Sequence, residues 1–404
     1  MENNIAIFSI ALVVLGYGYF SSFLLRFNIS GPMVFAAIGI LLSPVVIGVT
    51  QAHLRAGIVQ IVAEIALIVV LFSDASGLNL EKLKKEWTVP VRLLFIGLPL
   101  TIAATVLTAK MIFPNETMLY LVLMALVLAP TDAALGKAVV TDKNVPEKIR
   151  SSINIESGLN DGIVFPLLIT VVAMIVSDGQ EQGQNSGWMA YVGQQISFGA
   201  IIGGLVGYLG ALLAEMLLRK GWMESSYQNL IPIALAILSY YLAEHCGGNG
   251  FISAFFSGLF VGNYSETFRE HIEDFAESEG ELLILISFLV FGLTFIPATI
   301  NYWNFPVFLF AALSLTVLRM IPVAISLIGT KFDLSTILFI GWFGPRGIAS
   351  ILYVLIVVNE VHSIKGHETI YAVITVTVLL SIILHGLSAR PFARSYGKSH
   401  EYLQ

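Results

Sequence analysis

Charged residues are scarce in this chain: they make up only 12% of its 404 residues, against 56% hydrophobic residues. A mean hydropathy of +0.84 excludes an ordinary soluble domain, in which about a quarter of the residues are charged. The single cysteine, Cys246, excludes an intramolecular disulfide and lacks neighbours for a metal cluster. The basic residues form no patch of the kind that nucleic acid requires, so we expect no nucleic-acid partner.

The sequence consists largely of long apolar runs. Each run has about 20 residues, which is enough to cross the hydrocarbon core of a bilayer as a helix. We therefore predict an all-α polytopic membrane protein with about thirteen transmembrane helices in contact with lipid. The predicted segments are 5–25, 31–49, 57–77, 89–113, 118–140, 151–176, 191–218, 230–245, 251–263, 272–296, 304–329, 334–358 and 369–390.

Lysine and arginine concentrate on one side of this predicted arrangement. If the segments alternate sides, the other side collects only Arg55 and Lys365. By the positive-inside rule the basic side is cytoplasmic. We expect a protein of the cell (inner) membrane with its N-terminus outside and its C-terminus in the cytoplasm.

The fifth and twelfth segments contain helix-breaking residues. They carry Ala129-Pro130-Thr131-Asp132 and Gly341-Trp342-Phe343-Gly344-Pro345-Arg346-Gly347, respectively. Pro130 has no amide hydrogen, so we expect an unwound backbone near Thr131. The spacing of the two segments fits two inverted six-helix repeats with crossed broken helices.

This repeat suggests a division of the chain. We expect a core transport bundle over 89–177 and 301–392, and dimerisation or scaffold helices over 1–88 and 228–300. The glycine-rich run within 190–220 is the predicted linker helix, and 393–404 forms a short cytoplasmic tail.

Carboxylates inside the apolar segments are the strongest functional signal. An ionised carboxylate costs at least several kcal/mol in hydrocarbon, so it usually faces a partner or a wet cavity. Asp132 is one such residue and a candidate to bind the ion or the proton, and Glu156 and Asp161 lie in the next segment. On a helix, Glu156 and Asn160 share a face, while Asp161 stacks on Ser157. This stripe offers the oxygen ligands that hard cations prefer.

Two arginines also fall well inside apolar segments. Arg319 would neutralise Glu156 in a structural pair, which leaves Asp161 as the exchangeable site. Arg346 is available to Asp132 from the other broken helix. A proton and a monovalent cation then compete for Asp161, which is sufficient for antiport if access changes only when the site is occupied.

Other interpretations of these residues remain open. A proline kink with Asp132 reaching a helix end would be structural. Asp132 and Asp161 could form the dyad of an intramembrane aspartyl protease, but the Gly-x-Gly-Asp context is missing. A passive cation channel is the third alternative, although broken helices favour alternating access. The pattern gives no support for a pH-sensing role of His245, His271 or His385.

Thr131-Asp132, the stretch Glu156-Ser-Gly-Leu-Asn-Asp-Gly162, Arg319 and Gly344-Pro-Arg-Gly347 resemble the NhaP-type sodium/proton antiporters of the cation/proton antiporter superfamily, monovalent cation:proton antiporter 1 group. The resemblance covers nearly the whole membrane region. It implies that Asp161 binds the cation and the proton, with Ser157 and Thr131 as further cation ligands. It also implies that Asn160 bonds to the broken helices and that Glu156 pairs with Arg319.

The resemblance further implies an elevator-like movement of the core bundle and a homodimer. Asn160 stands where electrogenic relatives carry a second aspartate, which implies electroneutral one-for-one exchange. Ala133 departs from the family, which usually has proline after Thr-Asp. The resemblance implies no enzyme activity and no cofactor, with Na⁺ (or Li⁺) and H⁺ as the expected transported substrates. Potassium is the alternative cation, since the ions differ by only a few tenths of an ångström in cavity fit.

Overall fold

The computed structural model describes residues 2–48, 56–132, 135–178, 188–265, 269, 271–272, 280–361 and 366–400. Within these residues the chain is helical and contains no β-strand. Among the described residues, six helices are long and apolar enough to cross a membrane, and five shorter apolar helices accompany them. The all-α polytopic class is therefore confirmed, while the count of thirteen helices stays a prediction.

The helices are numbered in chain order. They are α1 Glu2–Arg26, α2 Gly31–Leu42, α3 Ala56–Ser76, α4 Leu80–Glu86, α5 Thr88–Arg92, α6 Leu98–Ile112, α7 Met118–Leu128, α8 Lys137–Val140, α9 Glu147–Asp178, α10 Trp188–Arg219, α11 Ser225–Gln228, α12 Leu230–His245, α13 Gly250–Tyr264, α14 Glu281–Thr299, α15 Phe305–Leu315, α16 Val317–Ser326, α17 Leu334–Trp342, α18 Ile348–Val361 and α19 Glu368–His400. A π-helical turn at Leu93–Gly97 joins α5 to α6, and a 3₁₀ turn at Ile300–Tyr302 follows α14.

The chain divides into two compact units. Unit 1 comprises Met1–Val62, Thr88–Ser157 and Ile284–Gln404, and unit 2 comprises Ala63–Trp87 and Gly158–Leu283.

In unit 1, the C-terminal helix α19 packs against α7 and α15. It continues past the predicted end at residue 390 because Ala393 and Tyr396 are still buried in the core. The Tyr396 ring stacks on Phe339, and its hydroxyl hydrogen-bonds to Thr336 at 2.6 Å. The residues after 390 therefore belong to the packed bundle as far as α19 extends.

In unit 2, α10 packs closely against α13. A Cβ atom at Gly203 or Gly207 would collide with the backbone of Ser253 or Ser257. Small residues of this kind let two membrane helices approach until their backbones touch. The glycine-rich run of the predicted linker helix therefore packs against α13, and its role as a linker stays a prediction.

The predicted interruptions of the fifth and twelfth segments are both present. The first lies between α7 and α8, and the second lies between α17 and α18. The eleventh segment contains a further break that the sequence analysis missed. There Thr316, with φ −115° and ψ −93°, separates α15 from α16, and its hydroxyl donates to the Ala312 carbonyl.

Candidate functional site

The two broken segments of unit 1 cross and hydrogen-bond to each other. The backbone N–H of Asp132 donates to the Pro345 carbonyl at 2.9 Å. Near this contact, the Ser350 hydroxyl donates to the Val127 carbonyl at 2.7 Å. Pro130 and Pro345 lie in the non-helical stretches, and each lacks the amide hydrogen that a continuous helix would need. The predicted crossing of broken helices is therefore present.

Asp132 caps the helix that follows the second break. Its Oδ2 accepts from the backbone N–H of Ile348 at 2.7 Å, and its Oδ1 accepts from that of Leu135 at 3.4 Å. A carboxylate at a helix N-terminus satisfies free amides and complements the positive end of the helix dipole. Gly347 makes this contact possible, because a Cβ atom there would collide with Oδ2 of Asp132.

Arg346 donates hydrogen bonds to backbone carbonyl groups at the crossing. Its Nη1 donates to the Gly344 carbonyl at 3.1 Å and to the Pro130 carbonyl at 3.4 Å, so it joins the two broken segments. The side chain is fully buried. A cation at carbonyl groups that have left a helix offsets the negative end of the helix dipole.

Glu156 and Arg319 form the ion pair that the sequence analysis predicted. Arg319 Nη2 lies 2.6 Å from Oε1 and 2.8 Å from Oε2 of Glu156. Both side chains are at most 3% exposed, so the pair is shielded from solvent. Gly344 gives the arginine room, since a Cβ atom there would lie 2.6 Å from Arg319 Nε.

Thr131 and Ser157 bring the first break into contact with α9. Their hydroxyl oxygens are 2.9 Å apart, and either one can donate the hydrogen bond. Both residues are buried. Two predicted ligands are thus brought together, and Asp161 follows Ser157 by one turn of the same helix.

Asp161 itself belongs to unit 2, where it is 3% exposed. It lines a small cavity of about 10 Å³ together with Leu71 and the rings of Phe165, Phe251 and Phe255, among others. A space of this size holds about one water molecule. Gly162 lets the Phe255 ring pack directly against the helix backbone beside the carboxylate. Asn160 is buried on the same helix.

The packing role of Gly344 and Gly347 was not predicted from the sequence. Each makes room for a functional side chain, namely Arg319 or Asp132. Their presence on either side of Pro345 and Arg346 was the available signal, because glycine often marks a close approach of backbone to another group. Ala133 lies outside the described residues, and so do Arg55 and Lys365.

Comparison with known proteins gives a family match. The family described as "Sodium/hydrogen exchanger, transmembrane" matches residues 9–395. The K(+)/H(+) antiporter NhaP of Alkalimonas amylolytica is 27% identical over 336 residues, which cover 83% of this chain and 57% of that protein. The Na(+)/H(+) antiporter of Schizosaccharomyces pombe is 25% identical over 308 residues, which cover 69% and 65%. The chain spans less than two thirds of the length of either relative.

The fold has solved counterparts. The sodium proton antiporter MjNhaP1 from Methanocaldococcus jannaschii superimposes with a TM-score of 0.78, over 98% of this chain and 100% of that one. The two sequences are 19% identical. The architecture is therefore shared although most side chains differ.

Proposed function

We propose that this chain, which belongs to the sodium/hydrogen exchanger family, is a secondary active antiporter that exchanges sodium or lithium ions for protons. The observation that carries the proposal is the Thr131–Ser157 hydrogen bond at the crossing, one helical turn before Asp161. Unwound backbone inside a membrane bundle persists where it lines a site for an ion or a substrate. The family and the fold indicate a transporter rather than an enzyme.

Three side chains supply the proposed ligands. Asp161 provides the charge, while the hydrogen-bonded hydroxyl groups of Ser157 and Thr131 provide neutral oxygens of the hard type that cations prefer. Protonation of Asp161 removes the negative charge that holds the cation. Proton and cation therefore exclude each other, which couples their movements in opposite directions.

The charges around the site favour a monovalent ion. The charge of Arg319 balances that of Glu156. Asp132 accepts from a backbone N–H group at the crossing, and Arg346 donates to a backbone carbonyl there. Asp161 remains as the single exchangeable carboxylate in this scheme. Asp132 contributes negative charge from its capping position rather than as a direct ligand. One negative charge with neutral oxygens suits Na⁺, whereas a divalent ion prefers more carboxylates.

The same balance leads to electroneutral exchange. With Asn160 neutral, one proton leaves Asp161 for each cation that enters, so no net charge moves. We propose that this occurs in a homodimer in the inner membrane, with the C-terminus in the cytoplasm. The core bundle of 89–177 and 301–392 would move against the scaffold of 1–88 and 228–300, joined by the helix within 190–220.

Potassium is the second candidate cation. It is favoured by one observation, namely the likeness to relatives that are named K(+)/H(+) antiporters. Sodium is preferred because the residues of the crossing resemble those of sodium/proton antiporters. Direct ion competition decides between the two.

Exchange in proteoliposomes tests the proposal. An interior pH dye reports proton movement while Na⁺, Li⁺ or K⁺ is added in turn at zero clamped voltage. We expect cation-driven proton movement in the wild type and none in Asp161→Asn, because an amide cannot bind and release a proton. Asp142→Asn is the matched control, since Asp142 lies in the loop before α9 and its carboxylate accepts from the backbone and side-chain N–H groups of Asn144.

Each other outcome has a definite meaning. Cation uptake without proton movement would indicate a channel. Undiminished exchange in Asp161→Asn would exclude Asp161 as the shared site. A membrane-potential dye in the same vesicles checks the stoichiometry, because a potential built up by exchange would contradict electroneutral transport.

A further inference from the structure

The second broken segment is held by a third helix that the proposed mechanism does not use. At this break, helix α17 ends at Trp342 and helix α18 begins at Ile348. The backbone between them cannot complete its helical hydrogen bonds, and backbone groups without a partner are strongly unfavourable in a membrane interior. Ser381 and His385, one turn apart on α19, reach this backbone from the side.

The contacts form a continuous chain of hydrogen bonds. The N–H of Arg346 donates to Ser381 Oγ at 2.7 Å. Ser381 Oγ lies 3.2 Å from His385 Nδ1, and His385 Nε2 lies 3.0 Å from the Trp342 carbonyl oxygen. Ser381 and His385 are both at most 1% exposed. The chain thus starts at one end of the break and finishes at the other.

The chemistry of the partners determines which group donates in each of these hydrogen bonds. A carbonyl oxygen only accepts, so Nε2 carries the hydrogen and donates to Trp342. In the neutral ring Nδ1 is then an acceptor, and the Ser381 hydroxyl donates to it while receiving the Arg346 amide. The Ser381 carbonyl also lies 3.1 Å from Nδ1, but only a charged ring could donate to it.

Further contacts fix the same region. The Trp342 indole N–H donates to Ser388 Oγ at 2.9 Å, and its ring centroid lies 5.0 Å from that of His385. On the other side of the break, Pro345 and Ile348 bind Asp132. The segment that carries Arg346 is therefore held between Asp132 and helix α19.

We propose that Ser381 and His385 are positioning residues for transport, which act through the broken segment on the cation ligands. This proposal rests on the proposed function. When the chain of hydrogen bonds is intact, the segment keeps Asp132 in place, and the neighbouring Thr131 stays bonded to Ser157. Loss of the chain lets the segment shift and weakens cation binding, because ligand geometry is sensitive to displacements of about 1 Å.

The test compares four variants by the cation concentration at half-maximal exchange. We expect Ser381→Ala and His385→Leu each to raise it by about fivefold or more, with a smaller change in maximal rate. Because both interrupt one chain, the double variant should be no worse than the more severe single variant. His385→Gln should recover most of the loss, since an amide side chain also offers one donor and one acceptor.

Thr377→Val is the matched control on the same helix. Its hydroxyl is equally buried and donates to the Val373 carbonyl of its own helix, which is its one bond among the described residues, so half-saturation should not change. A purely structural role for Ser381 and His385 would lower thermal stability and the amount of active protein while leaving half-saturation unchanged.

The outcomes separate this proposal from the proposed function. Absence of cation-driven proton movement in the wild type would refute antiport itself. Wild-type exchange with unchanged half-saturation in Ser381→Ala and His385→Leu would overturn the positioning role alone. Strictly additive effects in the double variant, or no recovery in His385→Gln, would also overturn it. The expected non-additivity and recovery both require that the two residues act through one hydrogen-bonded chain.

Discussion

The buried ion pair gives a prediction whose magnitude follows from the structure. Arg319→Ala removes the cation that lies 2.6 and 2.8 Å from the two oxygens of Glu156. With both side chains at most 3% exposed, water cannot readily replace the guanidinium. Breaking a buried pair in this way typically costs about 3–5 kcal/mol, because an uncompensated charge is left inside the protein.

The cost arises from the orphaned charge rather than from the lost pair. Glu156→Gln in the Arg319→Ala background should therefore recover most of the stability, since the amide is neutral. Arg319→Lys should fall between the two, because it keeps the charge but loses the planar fork of donors. The measurement is the free energy of unfolding of the purified protein in denaturant, supported by thermal melting in detergent.

A surface pair supplies the control. Arg219 and Glu215 form an i, i+4 pair on α10, and the arginine side chain is 78% exposed. Arg219→Ala should change the unfolding free energy by less than about 1 kcal/mol, as is usual for exposed pairs. The reasoning is refuted if Arg319→Ala is no more costly than Arg219→Ala, or if the added Glu156→Gln gives no recovery.

Two further predictions concern the crossing. Gly347→Ala should reduce exchange strongly, because the new Cβ atom must displace the Asp132 carboxylate from its cap. Gly193→Ala is the control and should have little effect, since nothing lies within 4 Å of its Cβ position. Equal exchange rates for the two variants in vesicles would contradict this prediction. Ser157→Ala should raise the cation concentration at half-maximal exchange by about tenfold, the effect of one lost ligand contact of about 1.4 kcal/mol, and leave the protein folded. Isothermal titration with Na⁺ checks the second effect, and unchanged affinity would remove Ser157 and its partner Thr131 from the ligand set.

The sequence by itself determined the membrane class, the positions of the two predicted breaks and the Glu156–Arg319 pair. These properties depend on local chemistry: apolar runs of bilayer length, prolines without an amide hydrogen, and the need of a buried arginine for an anion. Residue type and spacing contain this information. The two broken segments and the ion pair could therefore be identified from the sequence.

Only the tertiary structure decided which groups meet at the crossing. Asp132 caps a helix more than 200 positions away, and Ser381 and His385 bind backbone from a different helix. These partners depend on the depth and angle at which the helices cross, which residue type and spacing along the sequence do not specify. The break at Thr316 was likewise missed, because no glycine or proline occupies that position. The chemistry of each side chain was readable from the sequence, whereas its partner was set by the packing of distant helices.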